Sequence, residues 1–323
     1  MAVDNPFSTT PGAVPPVPPV LVGRDQEVEL FTEALDDGPA APGRWAAVGG
    51  PAGIGKSALL AAYAERARAR GWAVLAEQCT EGLGDRVTRA LATNVLDGGD
   101  APAVGLLITV DALDASRTDE LASVVTDVEH LELTGRDVAL VVAGRPAHLM
   151  TVLGQEEGTL RRRTDVLDVG RVPADEAALA LREVVDAHGR TVDDDALERA
   201  VAVGAGYPVV MQVLGEQVWN VAQGDRITTA DVESALPAVR AALGPALHAP
   251  VLAELTDEDT VFLRAMARDD GPSEIASLAA RLGESAQGVG VHRRRLTAAR
   301  VIEPVSGGRV DLAIPYLREF LRA

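Results

Sequence analysis

The stretch Gly50-Pro51-Ala52-Gly53-Ile54-Gly55-Lys56-Ser57 decides the reading of this chain. It matches the pattern G-x-x-x-x-G-K-[ST], a loop whose backbone cradles phosphates. Before it lies a short apolar run, Trp45–Gly49, that reads as a strand. After it Lys56–Arg70 places Leu59, Leu60, Tyr63 and Ala67 on one side of a helix. In that order of strand, turn and helix, the N–H groups of Gly53, Gly55 and Lys56 point into the loop. The positive end of the helix adds to them. Lys56 is the only lysine among 30 Lys and Arg residues. Where the chain otherwise uses arginine, it keeps here a compact ammonium with three donors, which fits between phosphates better than a planar guanidinium. Gly50 to Ser57, with Ala58 just behind, are the expected phosphate-binding residues.

Two further strands continue the pattern. Gly105–Val110 is an unbroken apolar run ending in Asp111, and Val138–Ala143 is another, followed by Gly144-Arg145-Pro146. Such runs are strands buried on both faces. A strand-ending aspartate downstream of a phosphate loop is the expected second anchor for Mg²⁺, beside the Ser57 hydroxyl. Taken alone it reads equally as a turn cap. Arg145 is placed to reach a γ-phosphate, or is a solvated arginine at a strand end.

Composition sets the frame. Of 323 residues, 47% are hydrophobic and 24% charged, and the net charge is −18. That charge argues against broad non-specific binding to nucleic acid or anionic membrane. Aromatics make up 3%, so the core rests on Ala, Val and Leu. Cys79 is the sole cysteine, which excludes an internal disulfide and fits a cytoplasmic location. Neither an apolar run of membrane-spanning length nor a secretory signal is visible.

The first 20 residues are rich in proline and read as an extended arm. Residues 21–172 alternate strands and helices, which implies a parallel sheet with helices on both faces. Residues 173–250 hold only helical candidates: Asp175–His188, Asp193–Val203, Pro208–Ala222 and Thr229–Leu243, with Asp193 and Thr228 or Thr229 as caps. Residues 251–323 predict three helices capped by Thr256 or Asp257, Ser273 and Ser285, then two apolar runs joined by Ser306-Gly307-Gly308. Three helices and a hairpin spell a winged helix-turn-helix. The fold class expected is therefore α/β, a phosphate-loop sheet followed by a helical lid and a winged helix.

Together these elements resemble the AAA+ ATPases, and within them the origin-recognition-type initiators and the STAND signalling ATPases. Leu21-Val22-Gly23-Arg24-Asp25 is similar to the N-terminal box of those families, and Gly206-Tyr207-Pro208 to their lid G-x-P element. The resemblance implies ATP or ADP with Mg²⁺ as cofactor. It also implies that Val22, Gly23 and Arg24 line the adenine pocket and that Pro208 packs against the base. With Asn5-Pro6-Phe7 ahead of the box, the chain looks most like actinobacterial ATP-binding proteins with the same opening. One departure matters. Active members follow the strand-ending aspartate with an acidic residue that polarises water, whereas here Asp111 precedes Ala112, Leu113 and Asp114. Lys56, Asp111, Asp114 and Arg145 are the catalytic candidates, yet hydrolysis is expected to be slow or partner-dependent. Arg161-Arg162-Arg163 reads as a solvated basic run or as a subunit-bridging finger.

The last predicted helix carries His292-Arg293-Arg294-Arg295, which could enter a DNA groove. Against this, Gly288 and Gly290 weaken the helix, and from Leu255 onward ten acidic residues balance ten arginines. Two functions follow as expectations. One is a nucleotide-dependent conformational switch with a protein partner or self-association. The other is a DNA-associated initiator- or loader-like ATPase.

Overall fold

The unbroken apolar runs form the centre of a parallel sheet. In this computed structural model residues 5–8, 21, 23–39, 41–93, 103–154 and 159–323 are described. They fall into two units, one drawn from residues 12–50 and 56–170, the other from 1–11, 51–55 and 171–323.

The first unit holds β1 (Trp45–Gly49), β2 (Ala73–Gln78), β3 (Leu106–Leu113), β4 (Val138–Gly144) and β5 (Asp165–Asp168). Their order is β2-β3-β4-β1-β5, with every pairing parallel. The helices are α1 (Asp25–Asp36), α2 (Lys56–Ala69), α3 (Leu83–Ala92), α4 (Thr118–Leu133), α5 (Pro146–Leu153) and α6 (Thr159–Arg163). Trp45, Ala47, Ile108, Val110, Leu140 and Val142 cluster with Leu83, Val87, Leu121, Val124, Val128 and Leu149. Alternate strand residues Val48, Leu107, Ala139 and Val141 are also buried, and α2 packs on β2, β3 and β4. Both faces are therefore covered, which is why the strands lack an apolar–polar alternation. α1 is held to α2 by Phe31 stacked on Tyr63 at 4.1 Å. Its last carbonyls, Ala34 O and Leu35 O, accept from the buried Arg44 guanidinium, each at 2.8 Å. Arg44 is also paired with Asp137.

The second unit begins with α7 (Ala174–Ala187), β6 (Thr191–Val192), α8 (Asp194–Gly204), α9 (Pro208–Val221), β7 (Arg226–Ile227) and α10 (Thr229–Leu243). Thr228 and Asp231 close a capping box at the start of α10. Asp193 precedes α8 but makes no side-chain cap; its carboxylate accepts from Arg226 Nε at 2.6 Å instead. A π-helical turn (Gly244–His248) and α11 (Ala249–Ala253) lead into α12 (Asp257–Ala267), β8 (Ser273–Glu274), α13 (Ile275–Leu282), α14 (Ala286–Ala298), β9 (Ile302–Val305), β10 (Arg309–Leu312) and α15 (Leu317–Arg322). The three strands form an antiparallel sheet in the order β8-β10-β9. Gly307 and Gly308, at φ +75° and +71°, make the expected turn.

Three expectations are corrected. Ser273 does not cap α13: it lies in β8, buried, with Oγ donating to Asp269 Oδ2 at 2.7 Å. The short pair β6–β7 and the terminal helix α15 were not foreseen. The proline-rich arm is not extended throughout, because Asn5–Ser8 is a turn closed by Ser8 N–H to Asn5 O at 3.1 Å. The rest of that arm lies outside the described residues.

Candidate functional site

The carboxyl ends of parallel strands are where open α/β sheets bind ligands. Here the register brings the expected residues to that edge. Gly49 of β1 is level with Gly144 of β4 and Asp168 of β5, and Gly144 is level with Leu113 of β3. Gly50, Arg145 and Asp114 are thus each one residue beyond the same rung. Gly144 is required there, since a Cβ on it would lie 2.7 Å from that of Leu113.

The Gly50–Ser57 loop joins β1 to α2 as expected. Gly53 and Gly55 adopt φ +74° and +96°, in the left-handed region that lets successive N–H groups converge. Ile54 is fully buried and anchors the loop, whereas Ala52, Gly53, Gly55, Lys56, Ser57 and Ala58 keep partial exposure and Pro51 is buried. Lys56 Nζ donates to Gly50 O at 2.9 Å, so the ammonium spans the loop it closes.

Asp111 and Ala112 form an irregular end to β3. The β3–β4 register shifts between Val110 and Leu113. Ala112 has φ +54°, rare for a residue with a side chain, and its N–H donates to Asp111 Oδ1 at 2.7 Å. The methyl of Ala112 is exposed and offers no acceptor. Asp114 accepts from Ser116 N–H at 2.9 Å, capping a short 3₁₀ turn (Ala115–Arg117). That hydrogen bond, with His148 and Arg117 nearby, holds its carboxyl below the usual range, the opposite of what a proton-accepting base needs. Arg145 precedes α5 with extended backbone and partial exposure.

Of the N-terminal box, Val22 lies outside the described residues. Gly23 has φ +64°, and Arg24 is buried, donating to Gly23 O at 2.8 Å and Gly170 O at 2.6 Å. Arg24 therefore ties the box to the chain just after β5. Pro208 opens α9, with its Cγ 3.5 Å from where a Cβ on Gly55 would be. Val209 N–H donates to Gly53 O at 3.2 Å. This contact of Val209 with the loop was missed, and nothing in a valine beside Pro208 announces it.

The two arginine clusters are partly committed elsewhere. Arg163 grips Glu132 with both terminal nitrogens, at 2.5 and 2.8 Å, and stacks over Trp45, which is the posture of a structural arginine. His292 is buried, with Nδ1 2.7 Å from Asp259 Oδ1 and its ring stacked on Phe262; Arg295 also pairs with Asp259. Arg293 and Arg294 of the same run are exposed.

Among the described residues no three His, Cys, Asp or Glu side chains gather as a metal site. A Mg²⁺ at Ser57 and Asp111 would complete its shell with phosphate oxygens and water, as this ion commonly does. The donor types present fit that arrangement. Among the described residues no helix is long and apolar enough to cross a membrane.

Comparison with known proteins supports the fold. Residues 245–321 match a family described as a domain of unknown function (DUF8462). No curated protein matches the sequence. The ORC2 protein of Aeropyrum pernix, solved in ADPNP–ADP complexes, is similar over 99% of this chain and 97% of its own, with TM-score 0.71 and 16% identity. The Walker-type ATPase PABY2304 of Pyrococcus abyssi is similar over 94% and 96%, with TM-score 0.68 and 14% identity. The Thermotoga maritima RuvB Holliday junction branch migration motor is similar over 93% and 95%, with TM-score 0.52 and 19% identity. The chain has the α/β fold of these ATPases.

Proposed function

We propose that this chain binds ATP or ADP with Mg²⁺ in the Gly50–Ser57 loop and works as a nucleotide-dependent conformational switch of AAA+/STAND type, hydrolysing slowly or only with a partner. On this reading residues 21–172 bind nucleotide, 173–250 form the lid and 251–323 a winged helix. The N–H groups of Gly53, Gly55 and Lys56 hold phosphate oxygens, and the Lys56 ammonium neutralises their charge. Ser57 and Asp111 hold Mg²⁺, which draws charge from the phosphates when bound. Arg145 reaches the terminal phosphate.

The observation that carries the switch reading is the end of β3. Ala112 stands where an acidic side chain would orient water, and the next carboxylate after it along the chain, Asp114, is engaged in capping. Grip on phosphates is supported by the loop, and a water-activating base is not. The test is turnover of Mg-ATP by the purified chain alone. The expected rate is far below about 1 s⁻¹, the lower end of typical kinase turnover. Several turnovers per second without a partner would refute the reading.

The DNA-associated alternative draws support from exposed Arg293 and Arg294 on α14, but loses His292 to the Asp259 network. An ATP-dependent, salt-sensitive shift on duplex DNA would favour it. Nucleotide-dependent change in oligomeric state without such a shift favours the switch.

A further inference from the structure

The Asn5–Ser8 turn lies between stretches outside the described residues, yet its own contacts are those of a bound peptide. Asn5 Oδ1 accepts from Phe7 N–H at 2.9 Å, which sets the turn, and Pro6 occupies the position where a fixed φ suits it. Asn5 Nδ2 also donates to Glu216 O at 3.0 Å and to Asn220 Oδ1 at 2.9 Å on α9. One asparagine therefore both shapes the turn and reads the helix. Phe7 is only 8% exposed. It sits on Gly215, where any Cβ would come within 2.4 Å of the ring, and meets Trp219 edge-on at 6.4 Å. Beside it is an apolar cavity walled by Leu181, Val185, Leu214 and Val218 from α7 and α9. A glycine in the middle of α9 lowers helix propensity relative to alanine. The close approach of Phe7 is what that glycine permits.

We propose that this groove on α9 is a sequence-specific socket for an Asn-Pro-Phe turn, occupied by the chain's own N-terminal turn as a removable plug. The three residues of the turn divide the recognition between them. Asn5 reads Glu216 and Asn220, Pro6 presets the bend, and Phe7 fills the space over Gly215. The ligand class is a peptide carrying that turn, and the tether makes the resident copy an intramolecular competitor. Attachment to the same chain gives the resident copy an effective concentration on the order of 1 mM. Against a free peptide with Kd of about 0.1 mM, it weakens apparent binding about tenfold.

The experiment uses full-length chains and a fluorescently labelled peptide of residues 1–12, read by anisotropy. The Phe7→Ala chain, its socket emptied, should bind the peptide at least about tenfold more tightly than the wild-type chain does. The peptide carrying Phe7→Ala or Asn5→Ala should lose binding at least about tenfold. If the Phe7→Ala chain is poorly folded by circular dichroism, the Asn5→Ala chain serves as the emptied receptor. Absence of peptide binding to a folded, emptied chain would overturn the proposal, as would equal binding of the Phe7→Ala peptide. A wild-type dimer that Phe7→Ala dissolves would overturn the intramolecular assignment by placing the turn in a neighbour's socket.

Discussion

Gly53→Ala separates two reasons for a glycine in the Gly50–Ser57 loop. At φ +74° an alanine pays about 1–2 kcal/mol for the left-handed backbone. Its methyl would also lie 2.4 Å from Val209 Cγ1 and 2.9 Å from Leu247 Cδ1. Overpacking of this kind costs about 1–3 kcal/mol. The sum is about 2–5 kcal/mol, which at ~2–4 °C per kcal/mol lowers the unfolding midpoint of a unit of this size by at least ~4 °C. Val209→Ala removes the closer clash and leaves the backbone cost, while residue 209 N–H still donates to Gly53 O. Thermal unfolding of the wild type, both single variants and the double variant forms a cycle. The expected coupling is about 1–3 kcal/mol, with the double variant more stable than additivity allows. Additive effects, or a Gly53→Ala change within about 0.5 kcal/mol of zero, would show that the valine does not press on the loop.

Three other substitutions probe the site and the core. Asp114→Ala should cost about 1 kcal/mol, as the loss of a cap does, and leave ATP turnover nearly unchanged, whereas Asp111→Ala should weaken Mg-ATP binding; stability curves and turnover assays on both variants check this, and a collapse of turnover in Asp114→Ala would restore it as a base. Burial raises the Tyr63, Tyr207 and Tyr316 phenols above their usual value. The folded state keeps these protons while the unfolded chain ionises near pH ~10, so their stabilisation is intact below that pH and lost above it. Tyr63→Phe should flatten the alkaline limb of stability, read by urea midpoints across that range; an unchanged limb would contradict the assignment.

The loop between β1 and α2 was legible because its motif needs residue types that little else needs: glycines at positive φ, a lysine and a hydroxyl in fixed order. The buried strands were legible from apolar runs without alternation, and the β9–β10 turn from Gly307-Gly308. What could not be read depended on partners distant in sequence. His292 looked like part of a basic face, but Asp259, 33 residues earlier, draws it inward. Arg163 read as part of a solvated basic run or as a finger, whereas Glu132 and Trp45 hold it. Ala112 was visible as a missing acid, but its left-handed backbone depends on the shift of register against β4. Pro6 suited an extended arm, but the hydrogen bonds to Asn5 and the seat of Phe7 on Gly215 of α9 make a turn there.

Calorimetric titration of Mg-ATP into the wild-type chain and into Lys56→Ala tests the central claim most directly. The wild type should bind one nucleotide per chain. Lys56→Ala should show no measurable binding, because the ammonium that spans the loop to Gly50 O is removed while the fold around Ile54 persists. Unaltered affinity in a folded Lys56→Ala chain would contradict the account at its base.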